Sequence, residues 1–271
     1  MIRYHRISKV LAVETCPDSN RFKNAGMNIK IIILLLWLQV TSAQKAQELT
    51  GLTGEIRKIE QFDYTDAKLI NGKWHIGKND HPRKTEKIFD RNGLLLSTGY
   101  IQDNVKINRL YYYYEGKIAR TELLDSVGNL QDISRVDWPD KYTAVAAKHD
   151  KAGKCIHRLY SYYNSNFSLS TYIITNGCSD KSPVADAGTK AVYHYDANGI
   201  NNKREISVQG YNYVICYDVL EKDSHGNPSA IVERHTETAG SNEIQVLTLY
   251  RYTYFDKRPQ NEGYNKVIFS N

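Results

Sequence analysis

The chain has 271 residues and a formal net charge of +6, with 36 Lys and Arg against 30 Asp and Glu. Most of that excess sits in residues 1–43, where Arg3, Arg6, Lys9, Arg21, Lys23 and Lys30 outweigh Glu14 and Asp18. The remainder is close to neutral, which argues against a nucleic-acid-binding surface.

From the N-terminus, Met1–Gly26 is polar and lacks periodicity. Met27-Asn28-Ile29-Lys30, the apolar run Ile31–Val40 and the small-residue end Thr41-Ser42-Ala43 then follow. A basic lead, an apolar stretch too short to span a bilayer and a small-residue end make the pattern of a secretory signal peptide. Three segments are therefore expected: an upstream extension over residues 1–26, a signal helix over 27–43, and one mature domain over 44–271. The competing reading of residues 31–40 is a buried core helix. Export implies a secreted or periplasmic location, with no transmembrane anchor in the mature part.

The mature part holds 20 of the 21 tyrosines, and the chain has only 2 methionines. Tyrosine, valine, isoleucine and threonine suit half-buried, pleated surfaces. Glu55–Tyr64 is an imperfect strand, and Asn71-Gly72 is a two-residue hairpin signal. From Lys84 on, turn glycines or turn clusters recur at Gly93, near Asn104, at Gly116, Gly128, near Asp140, at Gly153, near Asn164–Asn166, and at Gly177, Gly199, Gly210, Gly226 and Gly240. Short antiparallel strands give this rhythm, and two strands make a repeat of about 24 residues. Asp137–Ala147 and Cys178–Lys190 interrupt it as longer loops. No segment after residue 44 has a helical period. The fold class expected is all-β: an antiparallel meander of hairpins forming an extended, curved or twisted open sheet.

Five turns share the pattern Asp-x-x-Gly: Asp90–Gly93, Asp125–Gly128, Asp150–Gly153, Asp196–Gly199 and Asp223–Gly226. The Asp side chain accepts backbone N–H groups further along the turn, and the Gly takes positive φ without a Cβ clash. Between the turns, Arg109–Tyr114, His157–Tyr163, Tyr211–Tyr217 and Thr248–Phe255 place tyrosines two apart, on one strand face. Such ladders read first as cross-strand pairs that stabilise the sheet, and second as a surface for sugars or extended peptides.

Tyr195-Asp196-Ala197-Asn198-Gly199, Phe89-Asp90-Arg91-Asn92-Gly93 and Leu124-Asp125-Ser126-Val127-Gly128 resemble the tyrosine–aspartate repeats of the Rhs/YD class. Gly51–Ile56 with the Tyr64 region is similar to the lead-in of small secreted Bacteroidota proteins that carry such repeats. The resemblance implies an open sheet of hairpins rather than a container.

Little in the sequence points to chemistry. Cys155 and Cys178 follow Gly153 and Gly177 closely, so a Cys155–Cys178 disulfide is one pairing open to an exported chain. The alternative is that both, like Cys216, are buried thiols. Cys155 and His157 could share a face, but no second Cys/His pair completes a zinc set. Trp74-His75 and Asp80-His81 lack an identifiable acid–base partner. No nucleophile elbow, zincin helix, phosphate loop or dinucleotide fingerprint is present. No catalytic residue, cofactor or metal is assigned. The function expected is a non-catalytic interaction module at the cell envelope, with a protein or glycan partner. Two alternatives stand: a carbohydrate-active hydrolase or glycan-binding β-sandwich, and a periplasmic carrier with its sheet curled round an apolar cavity.

The turn reading yields a test. Gly199→Val forces a β-branched side chain into positive φ and is expected to cost about 1–3 kcal/mol in urea unfolding.

Overall fold

The computed structural model describes residues 52–78, 80–102, 105–150, 152–165, 167–178, 182–197, 199–237, 243–255 and 266–269. The expected signal helix and upstream extension lie outside these residues.

The first strand is β1 (Ile56–Tyr64), followed by two short strands, β2 (Lys68–Ile70) and β3 (Lys73–Ile76). A long meander then runs through β4 (Arg83–Phe89), β5 (Leu95–Gln102), β6 (Val105–Tyr114), β7 (Lys117–Leu124), β8 (Leu130–Asp137) and β9 (Thr143–His149). It continues through β10 (Cys155–Tyr163), β11 (Leu169–Thr175), β12 (Ala187–Tyr195), β13 (Asn201–Val208), β14 (Tyr211–Lys222), β15 (Pro228–Glu237) and β16 (Glu243–Tyr254). A last short strand is β17 (Val267–Phe269).

The all-β antiparallel meander is as expected from the sequence; the open sheet is not. β1 pairs with β4 on one edge and with β16 on the other, so fourteen strands close into a barrel. Ile59, for example, lies opposite Lys87 on one side and Tyr252 on the other. This closure overturns the resemblance to open Rhs/YD-type hairpin sheets, which would have a free edge. A closed barrel leaves no such edge. The interruptions are also shorter than expected. β9 begins inside the first, at Thr143, and β12 begins inside the second, at Ala187.

Side chains opposite one another in an antiparallel pair share a face, so the registers sort the wall into two surfaces. One carries Ile59, Leu95, Tyr111, Ile118, Leu159, Tyr172, Ile206, Tyr213 and Ile215 and is mostly buried; it faces the lumen. The other faces out. β8 displays the alternation: Asp132, Ser134 and Val136 are half-buried inward, whereas Ile133, Arg135 and Asp137 are exposed. A barrel of about eight strands is just filled by its own side chains, and one of about sixteen to eighteen encloses a channel. Fourteen strands leave a lumen that only long side chains can bridge, which gives the tyrosine-rich composition a physical reason.

The Asp-x-x-Gly turns serve both rims: those at Asp90, Asp196 and Asp223 lie at one end and those at Asp125 and Asp150 at the other. At each, the Gly N–H donates to the Asp carbonyl over 2.9–3.1 Å. The Asp Oδ1 accepts the N–H four residues on, as in Leu94 to Asp90 at 2.8 Å and Ile200 to Asp196 at 2.9 Å. The glycines at 93, 128, 153, 199 and 226 have φ between 77 and 90°. A sixth turn uses the same bonds with Asn164 in place of Asp and Phe167, at φ 62°, in place of Gly. There the Phe167 ring lies 5.1 Å from that of Tyr142, an aromatic contact that offsets the backbone strain.

The first rim also carries a repeated clamp. The hydroxyls of Tyr113, Tyr195 and Tyr252 donate to the carbonyls of Leu95, Leu169 and Pro228 at 2.7–2.8 Å, and the Trp138 indole donates to Ile118 at 2.9 Å. In each case an aromatic side chain at the end of one hairpin strand ties down the start of the strand before it.

Outside the barrel, β2, β3 and β17 form a small sheet, with β17 parallel to β3. Asn71 and Gly72 turn its hairpin with φ of 49 and 75°. Trp74, Ile76 and Val267 cover the outward apolar patch Ala230, Val232, Leu247 and Leu249.

Cys155 opens β10, and Cys178 lies past the end of β11 rather than at a strand start; a disulfide joins them with Cα atoms 6.0 Å apart. With the cysteines 23 positions apart in sequence, the double variant C155S/C178S is expected to lose about 3 kcal/mol in denaturant unfolding relative to the oxidised protein.

Candidate functional site in the barrel lumen

Of the residues singled out from sequence, the ten turn residues sit on the rims and serve backbone geometry. Asp223 does more. Its Oδ1 caps the N–H groups of His225 and Asn227, while its Oδ2 accepts the Tyr254 hydroxyl. His194 faces outward, 3.3 Å from Glu205. Cys155 is engaged in the disulfide. Among the described residues no group of three His, Cys, Asp or Glu side chains is placed to hold a metal. The ladder Tyr250, Tyr252, Tyr254 lines the lumen, with successive rings 6.2 and 6.4 Å apart.

The polar groups that converge inside were not marked by any motif. Asp63 on β1 is 5 % exposed. It accepts hydrogen bonds from Arg83 of β4 at 2.6 Å, from Gln61 at 2.8 Å and from Thr248 of β16 at 3.0 Å. Burial raises the Asp63 pKa, and the Arg83 charge works the other way. Glu233 on β15 is also buried and lies 3.0 Å from His235. Burial works to raise the Glu233 carboxyl, but the His235 hydrogen bond and the charges of His235, Arg204 and Arg83 outweigh it and hold the pKa below the ordinary value. Burial lowers the Lys87 ammonium, partly countered by Asp63. The Tyr217 and Tyr250 phenols are pushed up by burial, so both are neutral donors at physiological pH. On β13, Arg204 is 4 % exposed, faces Tyr193 across the strand pair, and has its guanidinium 5.7 Å from that ring.

A second inward group lies on β8–β10. Lys148 pairs with Asp132 at 3.6 Å, and the pKa of His157 is lowered by burial and by Lys148.

The outer wall has the opposite character. Lys84 and Lys58 bridge to Glu60 at 2.5 and 3.2 Å, and Lys106 to Glu86 at 3.1 Å. Arg120 pairs with Glu122 at 3.1 Å, Lys203 with Glu205 at 3.0 Å and Arg234 with Asp218 at 2.9 Å. Each cationic side chain on a lipid-facing barrel wall costs about 2–4 kcal/mol at the bilayer midplane, whereas in water such pairs are close to neutral. This wall suits water. Among the described residues no helix is long and apolar enough to cross a membrane.

No family model matches the chain, and no curated protein does. Among solved structures, the chain is similar to a porin-like protein from Bacteroides uniformis, with 10% identity over 74% of this chain and 99% of that one, at a TM-score of 0.45. At that level the likeness speaks to neither function nor membrane insertion.

The Asp63 network generates a double-variant test. Arg83→Met leaves a buried carboxylate without its counter-charge and is expected to cost about 3–5 kcal/mol in chemical denaturation. Adding Asp63→Asn to Arg83→Met is expected to restore most of that loss, since no buried charge then remains unpaired.

Proposed function

We propose that this chain is a non-catalytic binding protein of the cell envelope or its exterior, and that it holds a small ligand in its lumen. The observation that carries this reading is the distribution of the two wall surfaces. Charge pairs cover the outside, while aromatic, apolar and a few convergent charged side chains line the inside. Ligand sites are concave and mostly apolar, with a small number of placed polar groups. Of the alternatives drawn from sequence, the carrier suits a closed barrel better than an open interaction surface does.

The leader pattern over residues 27–43 supports export, and residues 1–26 are proposed as an upstream extension. The Cys155–Cys178 bond supports an oxidising compartment. The hydrolase reading draws on Asp63 and Glu233, two carboxylates of one lumen. Their hydrogen bonds weigh against it. Both oxygens of Asp63 are occupied, by Arg83, Gln61 and Thr248, so Glu233, which His235 binds at Oε2 alone, lacks the second free carboxyl that such a reaction uses. A catalytic carboxyl needs an oxygen free for the substrate.

The test uses residues 44–271, refolded with the disulfide formed, and the neutral apolar probe N-phenylnaphthylamine. Partition into the aqueous phase of a detergent phase separation, together with saturable one-site fluorescence enhancement lost on unfolding, is the expected result. Partition with the detergent, or the absence of a saturable site, overturns the reading.

A further inference from the structure

Several charged side chains in the lumen are matched: Asp63 with Arg83, Glu233 with His235 and Lys148 with Asp132. Lys87 and Arg109 also face inward and have no salt bridge with any described residue, but both are only half-buried. Arg204 has none either, and it is buried. It is 4 % exposed, its Nε is buried without a hydrogen-bond partner, and it forms no salt bridge with any described residue. A desolvated guanidinium with five donors in a fixed fork is costly to leave without an acceptor.

Its surroundings show why the described residues supply no counter-ion. Tyr193 lies opposite on β12, with the Tyr172 ring tilted against it at 6.1 Å. Tyr217 faces the lumen from β14, one strand over. Burial raises the Tyr172 and Tyr217 phenols, so neither supplies a negative charge. The carboxylate that acts on Arg204, Glu233, is bound by His235 and does not reach it. Beside this group runs an apolar wall of Leu159, Ile174, Ala191, Ile206 and Val208.

A cation framed by neutral phenols and flanked by aliphatic side chains is complementary to an amphipathic anion. We propose that Arg204 is the headgroup anchor of the lumen: it receives the carboxylate or phosphate of a ligand whose apolar body lies along the β10–β13 wall, with phenol hydroxyls as added donors. Bidentate pairing of a guanidinium with such an oxyanion gives geometric selection as well as attraction. The inference rests on the lumen-binding reading above and names the chemical class that the lumen takes.

The test measures displacement of N-phenylnaphthylamine from the same refolded barrel by dodecanoate, dodecyl phosphate, dodecanol, and inorganic phosphate alone. Dodecanoate or dodecyl phosphate is expected to bind at least about tenfold tighter than dodecanol in the wild type, the scale of one charge-assisted pair. The headgroup that shows the larger gain identifies the source of the anion. Arg204→Met is expected to abolish that difference while N-phenylnaphthylamine still saturates, and Arg204→Lys to retain part of it. Equal affinity for dodecanol and both anions in the wild type overturns the anchor, whatever the variants do. So does an unchanged preference in Arg204→Met or Arg204→Lys. Displacement by inorganic phosphate alone as strong as by dodecyl phosphate overturns the apolar-body part. Failure of N-phenylnaphthylamine itself to bind would instead sink the lumen-binding reading.

Discussion

One buried carboxylate stands where the barrel closes. Asp63 draws hydrogen bonds from β4, from its own strand and from β16, the three strands that meet at the seam. A meander reaches its last strand with one free edge on each side. Joining those edges orders a loop of almost the whole domain, and the entropic cost of that must be met by contacts made only at the seam. The β1–β16 ladder supplies most of them. Asp63 adds specificity, because a slip of one residue would turn it outward and leave Arg83 and Thr248 without their acceptor. At the first rim the seam is tied again. The Asn227 side chain holds the backbone of Thr53 and the hydroxyl of Tyr254, which in turn donates to Asp223.

Closure sets the conditions for everything within. A ring of fourteen strands is wider than its side chains fill unless they are long, and the tyrosines provide that length together with a donor at the tip. Three of them and Trp138 use the donor to clamp the strand before their own. Their recurrence through the chain is the repeat that the sequence displays. It is a device for holding a rim, not a binding ladder on an open sheet.

The two faces of the wall then divide the labour. Charge pairs cover the outside. Inside, several charged groups have a partner: Arg83 for Asp63, His235 for Glu233, Asp132 for Lys148. Arg204 is the buried cation without a salt bridge to any described residue, and the ring of Tyr193 lies beside its guanidinium.

The strands, the Asp-x-x-Gly turns and the Asn71-Gly72 hairpin were legible in the sequence, because turn chemistry and a period of two are local properties. The Phe167 turn was only half legible, as a cluster around Asn164–Asn166, because its positive-φ residue is not a glycine. Closure was not legible, since no feature of Ile56–Tyr64 or Glu243–Tyr254 taken alone says that they pair. The lumen site was hidden for a related reason. A period of two separates the faces of a strand without saying which is enclosed. Asp63, Arg83, Arg204 and Glu233 therefore look like ordinary solvent-side charges until the ring is formed. Local sequence determined where this chain extends and where it turns; only the tertiary structure decided which of its charges are shut inside, because enclosure is a property of the closed ring and of no single strand.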